Sequence, residues 1–187
     1  SEIIKRVNRK SQVNYKRNIL GQWVIAEGII YDSFDETIHV FHDDHTSMFD
    51  EINICCDYGV STVTTFGVMG IVKDTKNGNS YYLQEETYYD ASKKGVAQSD
   101  SDRVNDIIRL QNKYGLGRRS TIFLPHDAAS LKAQCRKDKR IRMKVRTYAP
   151  DTFKDINRIQ DLFNNRRFFI HESCKNSITQ AQTYCWD

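Results

Sequence analysis

EINICCDYG at residues 51–59, STVTTFGVMGIVKD at 61–74 and SYYLQEETYY at 80–89 decide the architecture. The first is an apolar run closed by an aspartate and a glycine, the pattern of a buried strand that reaches solvent only at its end. The second is rich in β-branched residues, which favour a pleated, half-buried backbone. Between the second and third, DTKNGNS at 74–80 supplies the Asn-Gly pair of a tight hairpin. The core therefore opens with three strands joined by short turns.

Downstream, the period changes. SDSDRVNDIIRLQNKYG at 99–115 has capping residues at its start, Val104, Ile107, Ile108 and Leu110 at helical spacing, and a terminating Gly115. Strand and helix then alternate: strand STIFL at 120–124, a helix from about Ala128 to Lys137, strand RIRMKV at 140–145 and helix TFKDINRIQDLFNN at 152–165. A short strand, RRFFIH at 166–171, and a final helix, CKNSITQAQTY at 174–184, complete the chain. The order β-β-β-α-β-α-β-α predicts an α/β protein with a mixed sheet, antiparallel at first and parallel afterwards, and helices on both faces. A ribonuclease H-like fold has this order.

Upstream of the three strands, SQVNYKRNILGQWV at 11–24 reads as a basic helix and AEGIIYDSFD at 26–35 as a polar-interrupted connector. Residues 1–35 are therefore expected to connect from an upstream domain, and 36–187 to form the α/β domain. No run approaches the ~20 apolar residues that cross a bilayer, and the first residues lack a signal peptide's apolar stretch, so an intracellular, soluble protein is expected. Five cysteines without a CxxC spacing fit neither a disulfide framework nor a zinc knuckle and read as reduced thiols.

Net charge is only +4, but its distribution is uneven. Residues 31–57 hold eight acids and no Lys or Arg, whereas KAQCRKDKRIRMKVR at 132–146 holds eight bases and one acid. A basic stripe beside an acidic pocket suits an enzyme that holds a polyanion against metal ions; a solvated helix and strand face is the plainer reading.

In the predicted sheet the first and fourth strands lie side by side and parallel, so their C-terminal ends converge. Those ends carry Asp57, in CCDYG, and Asp127, in STIFLPHD. Carboxylates on neighbouring strands can bridge two Mg²⁺ or Mn²⁺ ions that activate water for an in-line phosphodiester displacement. Alternatively, each aspartate merely caps the turn that follows it. Glu86, in LQEETYY, is a further candidate ligand on the third strand, although Glu85 and Glu86 must face opposite sides. His126 beside Asp127 could orient a phosphate or water, or be an ordinary turn histidine.

NYKRNILGQWVIAEGIIYDSFD, CCDYGVS, LPHDAAS, and the run from TYAPDTFKDINRIQDLF to RRFFIHESCKNSITQAQTYCWD together resemble the nuclease domain of a tailed-bacteriophage terminase large subunit, over nearly the whole chain. DYG at Asp57 and HDAAS at Asp127 match the first two metal-binding acids of that family. The resemblance implies an endonuclease that cuts concatemeric viral DNA during genome packaging, with Asp57 and Asp127 catalytic. It implies an isolated domain that is monomeric, working in the bacterial host cytoplasm at the procapsid beside an ATPase domain, the small terminase subunit and the portal. The stretch into GQWVIAEGIIYDSFD is similar to the family's segment between ATPase and nuclease. No Walker A motif occurs, so the motor activity lies elsewhere. The family's third acid follows the YxW stretch by a segment, so Asp187, directly after YCW, is not assigned that role.

For double-stranded DNA, the candidate contacts are Arg118, Arg119, Lys137, Arg140, Arg142, Lys144 and Arg146; alternation in RIRMKVR puts Arg140, Arg142, Lys144 and Arg146 on one face. Two other readings stand beside the nuclease. One is a noncatalytic ribonuclease H-like module binding nucleic acid or a packaging partner through its basic face. The other is a zinc-type site on HVFHDDH, using His39, His42 and His45.

Overall fold

The computed structural model describes residues 28–185. The expected basic helix at 11–24 and most of the expected connector lie outside them. Helix α1 (Glu36–His39) leads into a two-residue strand β1 (Val40–Phe41), followed by β2 (Glu51–Asp57), β3 (Val63–Val72) and β4 (Ser80–Asp90). A one-turn helix α2 (Ala91–Lys94) precedes α3 (Asp100–Lys113), β5 (Thr121–Pro125), α4 (Ala129–Lys137) and β6 (Lys144–Tyr148). The chain continues through α5 (Thr152–Asn164), β7 (Phe168–His171) and α6 (Lys175–Thr183).

The strands form one sheet in the order β1-β7-β4-β3-β2-β5-β6. β3 runs antiparallel to β2 and β4, while β2-β5, β5-β6, β4-β7 and β1-β7 are parallel. The inner arrangement is the expected ribonuclease H-like one, with the first and fourth strands of the core adjacent. β7 and β1 extend it beyond β4.

The two sheet faces are covered by different helices because side chains alternate along each strand. Ile54, Cys56, Phe66, Val68, Ile122 and Leu124 point to one face and pack with Val104, Ile107 and Leu110 of α3 and Leu131 and Cys135 of α4. On the other face, Leu83 of β4 and Ile170 of β7 pack with Phe163 of α5 and with Ile178 and Ala181 of α6. A bulge in β4 at Gln84, where Val68 pairs with Glu85 but Met69 with Leu83, switches the alternation that turns Leu83 to this second core.

The strand expected at 140–145 begins four residues later, at Lys144. Gln111 of α3 is the physical reason. Its side-chain amide donates to the Arg140 carbonyl at 3.0 Å, and its carbonyl accepts from the Arg142 N–H at 2.7 Å. Side-chain bonds thus satisfy the backbone that a neighbouring strand would otherwise have paired.

Residues 29–34 belong to the packed body. Ile29 bridges Cys185, the Ile30 N–H donates to the Tyr184 carbonyl at 2.8 Å, and Tyr31 and Phe34 pack on the second core. Packing therefore runs through residue 35, where the connector was expected to end. Among the described residues no helix is long and apolar enough to cross a membrane.

Candidate active site

Asp57 is the last residue of β2, and alternation turns it away from the core that takes Cys56. Asp127 stands in the turn between β5 and α4, where the Ala128 N–H closes onto the Pro125 carbonyl at 3.2 Å and Ala128 is fully buried. Both carboxylates are exposed, and among the described residues neither takes an ion pair or a hydrogen bond. Their strands are direct neighbours, Ile54 paired with Ile122 and Cys55 with Phe123. Continuing that register sets Asp57 level with Pro125, two residues before Asp127.

Tyr148 completes this corner, and sequence reasoning missed it because the strand that carries it was placed too early. It pairs with Pro125 at the end of β6, so it lies in the row of Asp57 on the same sheet face. Its hydroxyl donates to the Cys56 carbonyl at 2.9 Å. Burial pushes this phenol up to about 12, helped by the negative charge of the nearby Asp57 and, less, of Asp127. Both aspartates thus lie within electrostatic reach of one hydroxyl.

The turn carrying Asp57 is held from below. Gly59 exchanges two hydrogen bonds with Thr64: its N–H donates to Oγ1 at 3.2 Å, and its carbonyl accepts from Oγ1 at 2.7 Å. Arg103 of α3, only 3% exposed, donates to the same carbonyl at 2.9 Å. A buried arginine inside a helix carries no periodicity signal, so nothing in the sequence pointed to it.

Two exposed carboxylates with unspent charge at adjacent strand ends suit a hard divalent cation, which takes oxygen ligands and fills its remaining positions with water. No group of three or more His, Cys, Asp or Glu side chains able to hold a metal forms among the described residues. Asp57 and Asp127 are the two carboxylates that the strand register brings to this end of the sheet.

Glu86 is on the same sheet face, in the row Cys55–Gly67–Glu86. Its oxygens are already occupied. Oε1 accepts from the N–H and Nδ2 of Asn176 at 2.7 and 3.0 Å, and Oε2 from the N–H and Oγ of Ser177 at 3.1 and 2.6 Å. This carboxylate caps the start of α6, satisfying N–H groups that have no partner within the helix. The structure gives it that task in place of the expected ligand role.

The three histidines of HVFHDDH are dispersed. His39 is buried, its Nε2 bonded to the Phe163 carbonyl at 3.0 Å; His42 pairs with Glu172 at 3.0 Å; His45 stacks on Phe41 at 4.9 Å. Each ring has its own surroundings, so the zinc-type site does not form among the described residues.

The basic candidates divide between the two ends of the sheet. Lys144 pairs with Thr121 and Arg146 with Phe123, which puts both on the face of Asp57 and Tyr148, Arg146 one row below them. Arg118 and Arg119 precede β5 and so lie at its far end, and Lys137 closes α4 there too. Arg140 is engaged by Asp138 at 2.7 Å and Arg142 by Asn112 at 3.1 Å. Of the stripe expected beside the acids, Arg146 comes near them on their own face and Lys132 bonds Thr147 beside Tyr148 at 3.4 Å, whereas Lys144 stands at the start of β6 beside Thr121. The Asn77-Gly78 hairpin, at the start of β4, is also at the far end.

No family model and no curated protein sequence matches the chain. Among solved structures it is similar to the large terminase of a thermophilic bacteriophage, with 27% identity and a TM-score of 0.71, covering 100% of this chain and 45% of that one. The same terminase has also been solved with ADP, again at 27% identity, with a TM-score of 0.72 and coverage of 98% and 44%. The nuclease domain of the phage P22 large terminase matches with 14% identity and a TM-score of 0.62, over 87% of this chain and 81% of that one. The large terminase nuclease of thermophilic phage G20c, with bound magnesium, matches at 13% identity and a TM-score of 0.55, over 87% and 84%. The last two likenesses show the fold alone, and the chain spans less than half the length of the first terminase. The neighbours are large terminase chains and terminase nuclease domains.

Proposed function

We propose that this chain is the nuclease part of a phage DNA-packaging terminase, a divalent-metal-dependent endonuclease that cuts concatemeric double-stranded viral DNA, with Asp57 and Asp127 as its ligand pair. The observation that carries this reading is the pair of exposed carboxylates, without an ion pair among the described residues, at the ends of adjacent parallel strands on the fold of terminase nuclease domains.

Bound Mg²⁺ or Mn²⁺ would supply a nucleophilic water and stabilise the charge of the leaving oxygen. The chain's own residues do the rest. Asp57 and Asp127 concentrate negative charge at one point and orient the cation. Arg146, on the same face one row away, draws the phosphate backbone toward that point, and Lys144 extends the charge along β6. Tyr148 stays protonated at neutral pH, and its hydroxyl holds the ends of β6 and β2 together.

In the whole protein this part would act beside an ATPase domain, with the small terminase subunit and the portal, at the procapsid in the bacterial cytoplasm. The ADP held by the similar large terminase, and this chain's coverage of under half of that protein, support such a division. The stretch ahead of residue 29 would then connect to the upstream domain, and the isolated domain would be monomeric. A second reading, a noncatalytic binding module, is favoured by one observation: no third acid joins the pair among the described residues.

Mn²⁺-dependent nicking of supercoiled plasmid by the wild-type chain and by Asp57→Asn separates the two. Nicking lost in the variant, at unchanged fold, supports the nuclease. Equal nicking by both removes Asp57 from the reaction, and nicking by neither leaves the binding module.

A further inference from the structure

Tyr58 lies between the two acid-bearing turns on the face opposite Tyr148. It follows Asp57 directly. Its hydroxyl donates to Asp100 Oδ1 on the first turn of α3 at 3.3 Å and meets Ser130 Oγ on the first turn of α4 at 3.4 Å. Ser130 is three residues after Asp127. One phenol thus touches the helix over β2 and the helix that begins where Asp127 ends.

The ring is fixed from the other side by Arg103. The guanidinium lies 4.8 Å from the ring centroid, bonds Asp100 at 3.1 Å and the Gly59 carbonyl at 2.9 Å, and keeps its buried Nε without a partner. A buried cation with an unsatisfied N–H costs stability, so this arrangement is poorly explained by stability alone. It does hold ring and turn in one position. The hydroxyl contacts are longer than the roughly 2.7–2.8 Å of a settled O–H···O bond.

We propose that Tyr58 is a positioning residue that sets the separation of Asp57 and Asp127, its ring held on the Arg103 guanidinium and its hydroxyl shared between Asp100 and Ser130. It acts through the turns and does not touch the reacting atoms. The cation it serves rests on the nuclease reading; the coupling of the two turns does not.

Two measurements test it on the full chain. In metal-free protein, Tyr58→Phe removes the hydroxyl and keeps the ring. Amide exchange is expected to rise at both 57–60 and 126–131, with a smaller rise at the same two places in Ser130→Ala. A change confined to 57–60, or no change, overturns the proposal. In Mn²⁺ titrations, Tyr58→Phe is expected to weaken binding by roughly ten-fold, the scale on which residues behind metal ligands act. Ser130→Ala added to Tyr58→Phe is expected to cost no more than Tyr58→Phe alone. Strict additivity of the two overturns the shared-hydroxyl geometry. If the wild-type chain binds no Mn²⁺ that Asp57→Asn abolishes, the nuclease reading fails while amide exchange still decides the coupling.

Discussion

At Gly59 an added methyl group would overlap both the Val63 carbonyl oxygen and Thr62 Oγ1. The carbonyl belongs to the backbone that starts β3, so it cannot rotate out of the way. Gly59→Ala must instead displace the turn that carries Asp57. It is expected to cost about 2 kcal/mol in denaturant unfolding and to lower Mn²⁺-dependent nicking by more than that loss of folded protein accounts for. Nicking that falls only in step with folded fraction would show that the turn's position is unimportant. The glycine was visible in the sequence as the end of DYG, but the reason for it was not. The clash involves Val63, and the bonds that hold the turn come from Thr64 and Arg103. Asp57 and Asp127 were legible because each closes an apolar run; Tyr58, Arg103 and Tyr148 were not, because their roles depend on which chain segments lie beside them.

Elements show the same division. The helix at 99–115 and the three opening strands were readable from period and turn residues, and with them the adjacency of the two acid-bearing strands. β1 was not, since a two-residue strand has no pattern and exists only because Val40 and Phe41 meet Ile170 and His171. Glu86 shows how an element reassigns a residue: four hydrogen bonds from Asn176 and Ser177 tie it to the start of α6. Glu86→Gln is therefore expected to lower stability by about 1 kcal/mol through loss of a charged helix cap. Mn²⁺ affinity is expected to stay within about two-fold, well below the change on losing a ligand. Calorimetric titration of the variant decides, and a loss of metal binding matching that of Asp57→Asn would return Glu86 to the ligand set.

Across the whole molecule, the uneven charge of the sequence does not become a single surface. Arg146 faces the same way as Asp57 one row below it, whereas Lys144, Arg118 and Arg119 stand at the far end of β5. Arg146→Ala is expected to weaken DNA binding and to reduce the slope of log affinity against log salt by roughly one. Arg119→Ala is expected to leave that slope unchanged. Fluorescence anisotropy over a salt series reads both, and the opposite ranking would put the DNA track at the other end of the sheet.

The two cores also differ in how their members are spread along the chain. The first gathers residues from within the span Ile52 to Val145, which also lends Met69 and Leu83 to the second. The second joins Tyr31, Phe34 and Val40 to Phe163, Ile170 and Ile178, so it closes only when distant parts of the chain meet. Contacts over such separations cost more loop-closure entropy and tend to open as separate cooperative units. Both aspartates, and the tyrosines that flank them, ride on or beside the first core, whose closures, such as Ile54 with Ile122, span fewer residues than those joining Val40 to Ile170. The outer half is therefore expected to open before the corner that carries Asp57 and Asp127.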